Sequence, residues 1–349
     1  MKNNRLLVMY VYVVLVLAAL PIMSGCPKAA AAPITLRYAH VLPATELAPF
    51  MEWFSNQIEQ RTNGRVKIVH YYSGSLAPAE DILEAVRSGL ADMGDVFATY
   101  HPGKTPLWNM GTLPYCTGDY YTSMLVAREL FDSEPAMQAE VAAFNQKFLF
   151  PEACPDTTLY TTFKITSMAD LKGKKMRSFG GYSTLLEDLG AVTLFMPVGD
   201  VYASLQKGTI DGGLTVFTSI ESFKFHEVAK YILLENLGID WSSYASINLG
   251  VWNKLPPDVQ KVFEEVSQEY AAKSSELAQD LREKQTKVME DAGVEFTKLT
   301  PEESERWREK AKPLWEDWIK EMEAKGLPGE KIFDDYIQIL AKHGVVIRR

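Results

Sequence analysis

Cysteine is scarce in this chain: three among 349 residues, at Cys26, Cys116 and Cys154. No histidine lies within ligand-like spacing of Cys116 or Cys154, and the five histidines are scattered, so no metal site is expected. The chemical fingerprints of common enzymes are missing too. There is no G-x-S-x-G, no H-E-x-x-H, no Walker A loop and no dinucleotide fingerprint. No basic patch occurs, and the formal net charge is −9, which argues against a nucleic-acid partner. Internal repeats are absent, and the one low-complexity tract is a short run of alanines. No cofactor is implied.

Apolar residues are plentiful. At 47% hydrophobic, the chain can fill one large domain or two ordinary ones. Lys2 and Arg5 precede an uninterrupted apolar run, Leu6 to Ile22, which ends in Met23-Ser24-Gly25-Cys26. A positive start, an apolar middle and small residues before a cut site make an export signal. Residues 1–25 are expected to be that signal, with Cys26 lipidated at the mature end, because the small-small-Cys ending resembles the bacterial lipobox. A permanent membrane anchor is the alternative, since seventeen apolar residues is the lower limit for spanning. Residues 26–33 read as a tether. In an oxidising compartment Cys116 and Cys154 are either a disulfide or two buried free thiols.

The first part of the chain alternates elements. Ile34–Ala39 reads as a strand, Glu46–Thr62 as a helix with an apolar stripe, and Val66–Tyr72 as a second strand. Helix Ala79–Ser88 and strand Met93–Thr99 complete a βαβαβ unit, which implies a parallel sheet. Thr122–Lys147 holds one or two helices, and Phe148–Phe150 a short strand. Thr158–Ile165, Leu214–Phe217, Tyr231–Leu234 and Trp241–Val251 read as extended, the last returning the chain to its first domain. From Pro256-Pro257 an apolar stripe runs about nine turns, more than 45 Å, longer than one domain needs. Thr300-Pro301-Glu302-Glu303 opens another helix with a capping box.

The stretch Ser167–Gly213 organises the rest. Asp170-Leu171-Lys172-Gly173 runs into a strand whose outer end carries Arg177, and Asp200–Gly208 leads through a helix into Ile210-Asp211-Gly212. In an open α/β sheet, ligands sit outside the carboxyl ends of strands, where both segments point. The pattern DLKG-x-K-x-R … G-A … D-V-Y-x-x-L-Q-x-G-x-x-D-G resembles the solute-binding proteins of tripartite ATP-independent periplasmic (TRAP) transporters, the DctP family. So do Thr62–Gly94 and Leu113-Pro114-Tyr115, and the resemblance extends from about Ile34 to about Glu269. It implies a two-domain periplasmic-binding-protein-like α/β fold with a ligand cleft between the domains and a long spine helix. The domains would be 34–155 plus 243–280 and 156–242 plus 281–349. It also implies capture of a small organic acid, with small and large membrane permease subunits as partners. A sensory receptor for an organic acid, or an enzyme on the same scaffold, are the rival readings.

Arg177 is the first candidate ligand residue, because a guanidinium pairs with a carboxylate in bidentate fashion and the motif's Arg has that role in the family. Thr215 stands near the place where some relatives carry an Asn, and Asp156-Thr157-Thr158 where many carry a second Arg. With one cation left, aromatic walls would favour an aromatic or other monocarboxylate over a C4-dicarboxylate. Phe97, Phe179, Phe217 and Trp241 are the wall candidates, each with ordinary core as the alternative. His40 and Glu80 sit in the first two loops and are candidate polar contacts. Asp211 reads as structural, supporting the turn before Gly212.

Overall fold

Strands and helices alternate along nearly the whole chain. The structure, a computed structural model, describes residues 32–154, 156–347 and 349, so the expected export signal (1–25), Cys26 and most of the tether lie outside it. The strands are β1 (Ile34–Ala39), β2 (Val66–Tyr71), β3 (Met93–Phe97), β4 (Gln146–Cys154), β5 (Thr157–Thr161), β6 (Lys175–Arg177), β7 (Val192–Leu194), β8 (Gly212–Val216), β9 (Tyr231–Leu233), β10 (Asp240–Asn248) and β11 (Glu295–Thr297). They form a five-stranded sheet, β2-β1-β3-β10-β4, and a six-stranded sheet, β11-β9-β5-β8-β6-β7. Both belong to one compact unit, Thr35–Arg349.

The βαβαβ expectation holds in part. β1 and β3 are parallel, but β10 inserts between β3 and β4 antiparallel to both, so the sheet is mixed. The chain passes from the first sheet to the second between β4 and β5, and returns between β9 and β10. In the second sheet β6 runs parallel to β7 and β8, whereas β5 is antiparallel to β8 and β9. β4 is nine residues long, where the apolar pattern supports only three. Pro151 and Glu152 break that pattern, and Pro151 is tolerated because β4 is an edge strand.

Twelve α-helices cover these sheets among the described residues. They are α1 (Ala44–Arg61), α2 (Ile82–Ser88), α3 (Tyr120–Ser133), α4 (Pro135–Ala142), α5 (Gly180–Asp188), α6 (Val201–Gln206), α7 (Phe217–Ser222), α8 (Phe225–Val228), α9 (Leu249–Trp252), α10 (Pro257–Asp291), α11 (Pro301–Ala324) and α12 (Gly329–Lys342). α1 buries Leu47, Phe50, Met51, Phe54 and Ile58, the stripe expected from spacing. α3 and α4 are separate helices because Pro135 cannot continue the first. α11 starts where Thr300 Oγ1 accepts the Glu303 N–H at 3.2 Å.

α10 is the spine. Its 35 residues extend about 52 Å at 1.5 Å per residue. Near its start Glu269 pairs with Arg61 of α1 at 2.6 Å, and Tyr270 stacks on Phe150 of β4 at 3.9 Å. Sixteen residues on from Glu269, Gln285 donates to the Thr218 carbonyl of α7 at 3.0 Å. One rigid element therefore touches the layers of both sheets. Phe150 is fully buried, and such burial is worth about 2–3 kcal/mol.

Cys116 and Cys154 are both free and both buried, so the disulfide reading is corrected. Each thiol has its own surroundings: the Cys116 carbonyl accepts from Tyr336 Oη, and Cys154 ends β4 opposite Asp240. Burial pushes both thiols up, so neither is a ready thiolate.

Candidate functional site

Arg177 ends β6 and lies opposite Gly213 of β8. A Cβ on Gly213 would come within 2.3 Å of Tyr160 Oη and 3.0 Å of the Arg177 Cβ, so the glycine is what lets the arginine lie flat there. Asp211 fixes the approach as expected. Its Oδ2 accepts the Lys175 N–H at 2.8 Å, and its own N–H donates to the Lys175 carbonyl. The D-G-G run is thus a device for aiming Arg177.

Arg177 is only 4% exposed. Nη1 donates to the Leu214 carbonyl at 3.0 Å and Nε to the Met196 carbonyl at 3.3 Å. The guanidinium centre lies 4.9 Å from the Phe179 ring. Two of its nitrogens are thus held by backbone carbonyls, and the Tyr100 hydroxyl stands beside the guanidinium. Orientation is fixed before any ligand arrives.

Arg177 lines a cavity of about 40 Å³ together with Phe97, Tyr100, Phe179, Thr215 and Asp240. β3 and β10 contribute from one sheet, β6 and β8 from the other. A second cavity of about 40 Å³ shares Leu42, Phe97, Cys154 and Val216 with it, and adds Glu46, Glu152 and Tyr270. Each holds roughly three waters at 10–15 Å³ apiece. A larger space of about 240 Å³ lies between the 102–113 segment, α5 and α11. Its charged lining groups are Asp317 and Glu321, so it offers a carboxylate no counter-charge.

Acids crowd the first two cavities. Burial pushes Asp240 up to about 6, with Ser242 hydrogen bonds and the Arg177 charge pulling the other way. Burial also raises Glu46 to about 7, against hydrogen bonds from Thr218 and Ser219. Glu152 is driven up by burial and by neighbouring Asp95. Arg177 thus shares its cavity with one buried carboxyl group, Asp240, and the adjoining cavity adds Glu46 and Glu152 but no second cation.

The sequence candidates divide. Arg177, Phe179, Thr215 and Phe97 are brought together around one cavity. His40 is not at its wall. It is fully buried, with Nδ1 2.5 Å from Asp95 Oδ2 and Nε2 2.8 Å from His70 Nδ1. Glu80 stays exposed on the turn Ala79–Asp81 and lines neither cavity. Phe217 is core, stacked on Phe296 and capped by Arg282 at 4.2 Å. Trp241 is core as well, donating through Nε1 to Tyr336 Oη at 3.1 Å and meeting Trp108 edge-on. Next to Trp241 on β10 it is Asp240 that faces the cavity, and Phe217, the first residue of α7, follows Val216, the last residue of β8, which faces the cavity in its place.

Sequence reasoning missed Asp240, Glu46 and Glu152. The usable signal was a lone acid inside an otherwise uncharged run. Asp240 interrupts Asn236–Asn248 and Glu152 interrupts Phe148–Cys154. Isolated charges in buried strands need a partner or a task.

A fixed guanidinium beside apolar walls between two sheets is an arrangement that suits a small anion. Comparison with known proteins points the same way, and the chain belongs to the bacterial extracellular solute-binding protein family 7, whose model matches residues 39–321. The Rhodobacter capsulatus C4-dicarboxylate-binding periplasmic protein DctP is 28% identical over 309 residues, covering 87% of this chain and 92% of that protein. A TRAP periplasmic solute-binding protein from Desulfovibrio salexigens, solved as an open complex, is 28% identical with a TM-score of 0.77, covering 91% of this chain and 99% of the other. A marine metagenome TRAP solute-binding protein, described as specific for aromatic acid ligands and solved with 3-hydroxybenzoate, has a TM-score of 0.80 at 24% identity, covering 89% and 98%. At that identity the likeness concerns the fold. Among the described residues no helix is long and apolar enough to cross a membrane.

Proposed function

We propose that this protein captures a small organic monocarboxylate with an apolar or aromatic body and hands it to the membrane subunits of a TRAP transporter. Arg177 carries the reading: it is buried, held in orientation by two backbone carbonyls, and lines the cavity between the sheets with the Tyr100 hydroxyl beside it. Phe97, Phe179, Tyr100 and Val198 supply the apolar wall, and Thr215 a hydroxyl. The lobes are the two sheets with their helices, divided at 155–156 and 234–239 and spanned by α10. With only about 40 Å³ free in each cavity, entry of an organic acid requires the lobes to part and close again. Lipidation of Cys26, read from the Ser24-Gly25-Cys26 ending, would hold the protein at the membrane surface.

Ligand class follows from electrostatics. The R. capsulatus relative is named for C4-dicarboxylates. Here a second ligand carboxylate would meet Asp240, Glu46 or Glu152 rather than a cation. Burying one aromatic ring is worth on the order of 2–3 kcal/mol, and burying an unpaired carboxylate costs at least as much. In a thermal-shift panel at equal concentration, benzoate, 3-hydroxybenzoate and 4-methyl-2-oxopentanoate should therefore stabilise the protein more than succinate, malate or fumarate. A C4-dicarboxylate outperforming every monocarboxylate would overturn the assignment.

A further inference from the structure

Phe195 is the aromatic that neither core nor cavity accounts for. At 56% exposure it is the most exposed aromatic ring among the described residues. It follows β7, at the edge of the second sheet, yet its ring meets Tyr100 edge-on with centroids 5.8 Å apart. Tyr100 belongs to the other lobe, where it closes the turn Ala98–Tyr100 after β3. Three residues beyond Phe195, the N–H of buried Val198 donates to Tyr100 Oη at 3.4 Å. Between the two, the Met196 carbonyl accepts from Arg177 Nε at 3.3 Å. One short segment, 195–198, therefore holds the ligand arginine on one side and a tyrosine of the opposite lobe on the other.

The Tyr100 hydroxyl stands beside the guanidinium, and both Val198 N–H and Arg177 donate toward its oxygen. A phenol accepts and also has one proton to give. With donors turned on its oxygen, that proton is left for an acceptor, and a carboxylate bound at Arg177 is one. The same carboxylate would then be held by Arg177 from one lobe and by Tyr100 from the other. Parting the lobes breaks the ring contact, the Val198 bond and the bond from Tyr100 to the ligand together.

We propose that Tyr100 and the 195–198 segment form a latch over the bound acid. Tyr100 gives the ligand's carboxylate a hydrogen bond from the lobe opposite Arg177, and Phe195 and the Val198 N–H hold Tyr100 where it can do so. The inference rests on the reading that Arg177 receives that carboxylate. At 3.4 Å the Val198 bond is long, so the ring contact carries most of the hold on Tyr100. A hydrogen bond to a charged group is worth about ten- to a hundredfold in affinity. An edge-on ring pair is worth about three- to tenfold. Both contacts exist only in the closed form, so they slow release and leave entry through the open form unchanged.

The test separates affinity from release. The ligand is whichever of benzoate, 4-methyl-2-oxopentanoate and succinate binds most tightly. Calorimetry gives its Kd, a rapid-mixing chase of radiolabelled ligand gives the release rate, and their ratio gives the association rate. Tyr100→Phe keeps the ring and should raise Kd about ten- to a hundredfold, chiefly through faster release. Phe195→Ala should release about three- to tenfold faster at an unchanged association rate, and Phe195→Tyr, which restores a ring, should release as the wild type does. Release from Phe195→Ala at the wild-type rate, or an unchanged Kd in Tyr100→Phe, would overturn the latch and leave capture at Arg177 standing. A loss confined to the association rate would overturn it too, because it assigns these residues to entry. If none of the three acids binds the wild type, the Arg177 reading falls and the latch falls with it.

Discussion

Glu46 ties α1 to α7 across the two sheets, and its titration can be worked through to a stability curve. Its Oε1 accepts from Thr218 Oγ1 at 2.7 Å and from Ser219 Oγ at 2.8 Å, while its Oε2 accepts from Ser219 at 3.0 Å. The side chain is 3% exposed, and burial raises it from the ordinary 4.5 to about 7. A carboxyl raised on folding stabilises the fold when protonated. That contribution is complete below about pH 4.5 and is lost as pH climbs through 7. The span of roughly 2.5 pH units corresponds to about 3 kcal/mol, or about 4 °C in Tm for a chain of this length. Glu46→Gln is neutral at every pH, keeps one acceptor oxygen and offers Ser219 an amide N–H where the protonated wild-type carboxyl offers an O–H. The variant should therefore match wild type near pH 5 and be more stable, by about 3 kcal/mol, at pH 8.5. Thermal melts of both proteins should coincide at pH 5 and separate as pH rises. Asp240 and Glu140 titrate nearby, so the difference between the two proteins is the quantity to read. Curves that stay parallel from pH 5 to 8.5 would refute the idea that Glu46 is buried with a raised pKa.

Two further predictions concern the cleft. Arg177→Ala should weaken binding of the best panel acid by at least a hundredfold, measured by calorimetry; it should also lower the apo Tm, since the Leu214 and Met196 carbonyls lose their donors. An isotherm within threefold of wild type removes Arg177 from the site. Small-angle scattering of the protein prepared without ligand and then saturated should show a fall in radius of gyration, while an unchanged radius would argue for a rigid receptor.

Much of the fold was legible because its elements are punctuated locally. The stripe of α1, the Thr300 cap of α11 and the length of α10 follow from spacing and capping chemistry alone. Strand β4 was less so, because Pro151 and Glu152 look like a break until their edge position and buried partners are known. At the site, Arg177 was readable from its motif and Asp211 from its turn. Trp241 was misplaced by a single position along β10, since consecutive strand residues face opposite sides and an aromatic gives no sign of which side is the cleft; Phe217 was misplaced because β8 ends at Val216 and the chain turns there into α7. His40 was misplaced for another reason: a histidine near a strand end meets a ligand or a buried acid equally well, and only the fold brings Asp95 and His70 to it.

The position of β10 bears on how the chain acquires its shape. It lies between β3 and β4, yet more than eighty residues separate it in sequence from the end of β4. A ribosome that has delivered the first 154 residues has made a sheet with one of its inner strands missing. β3 and β4 then present unpaired edges that nothing local can cover. The second sheet waits longer still, since β11 pairs with β9 only once residue 297 exists. Neither half can finish early, and both are completed by contacts between distant segments. Folding is therefore slow and cooperative over the whole chain, and truncations short of about residue 300 should yield aggregating fragments rather than a working half.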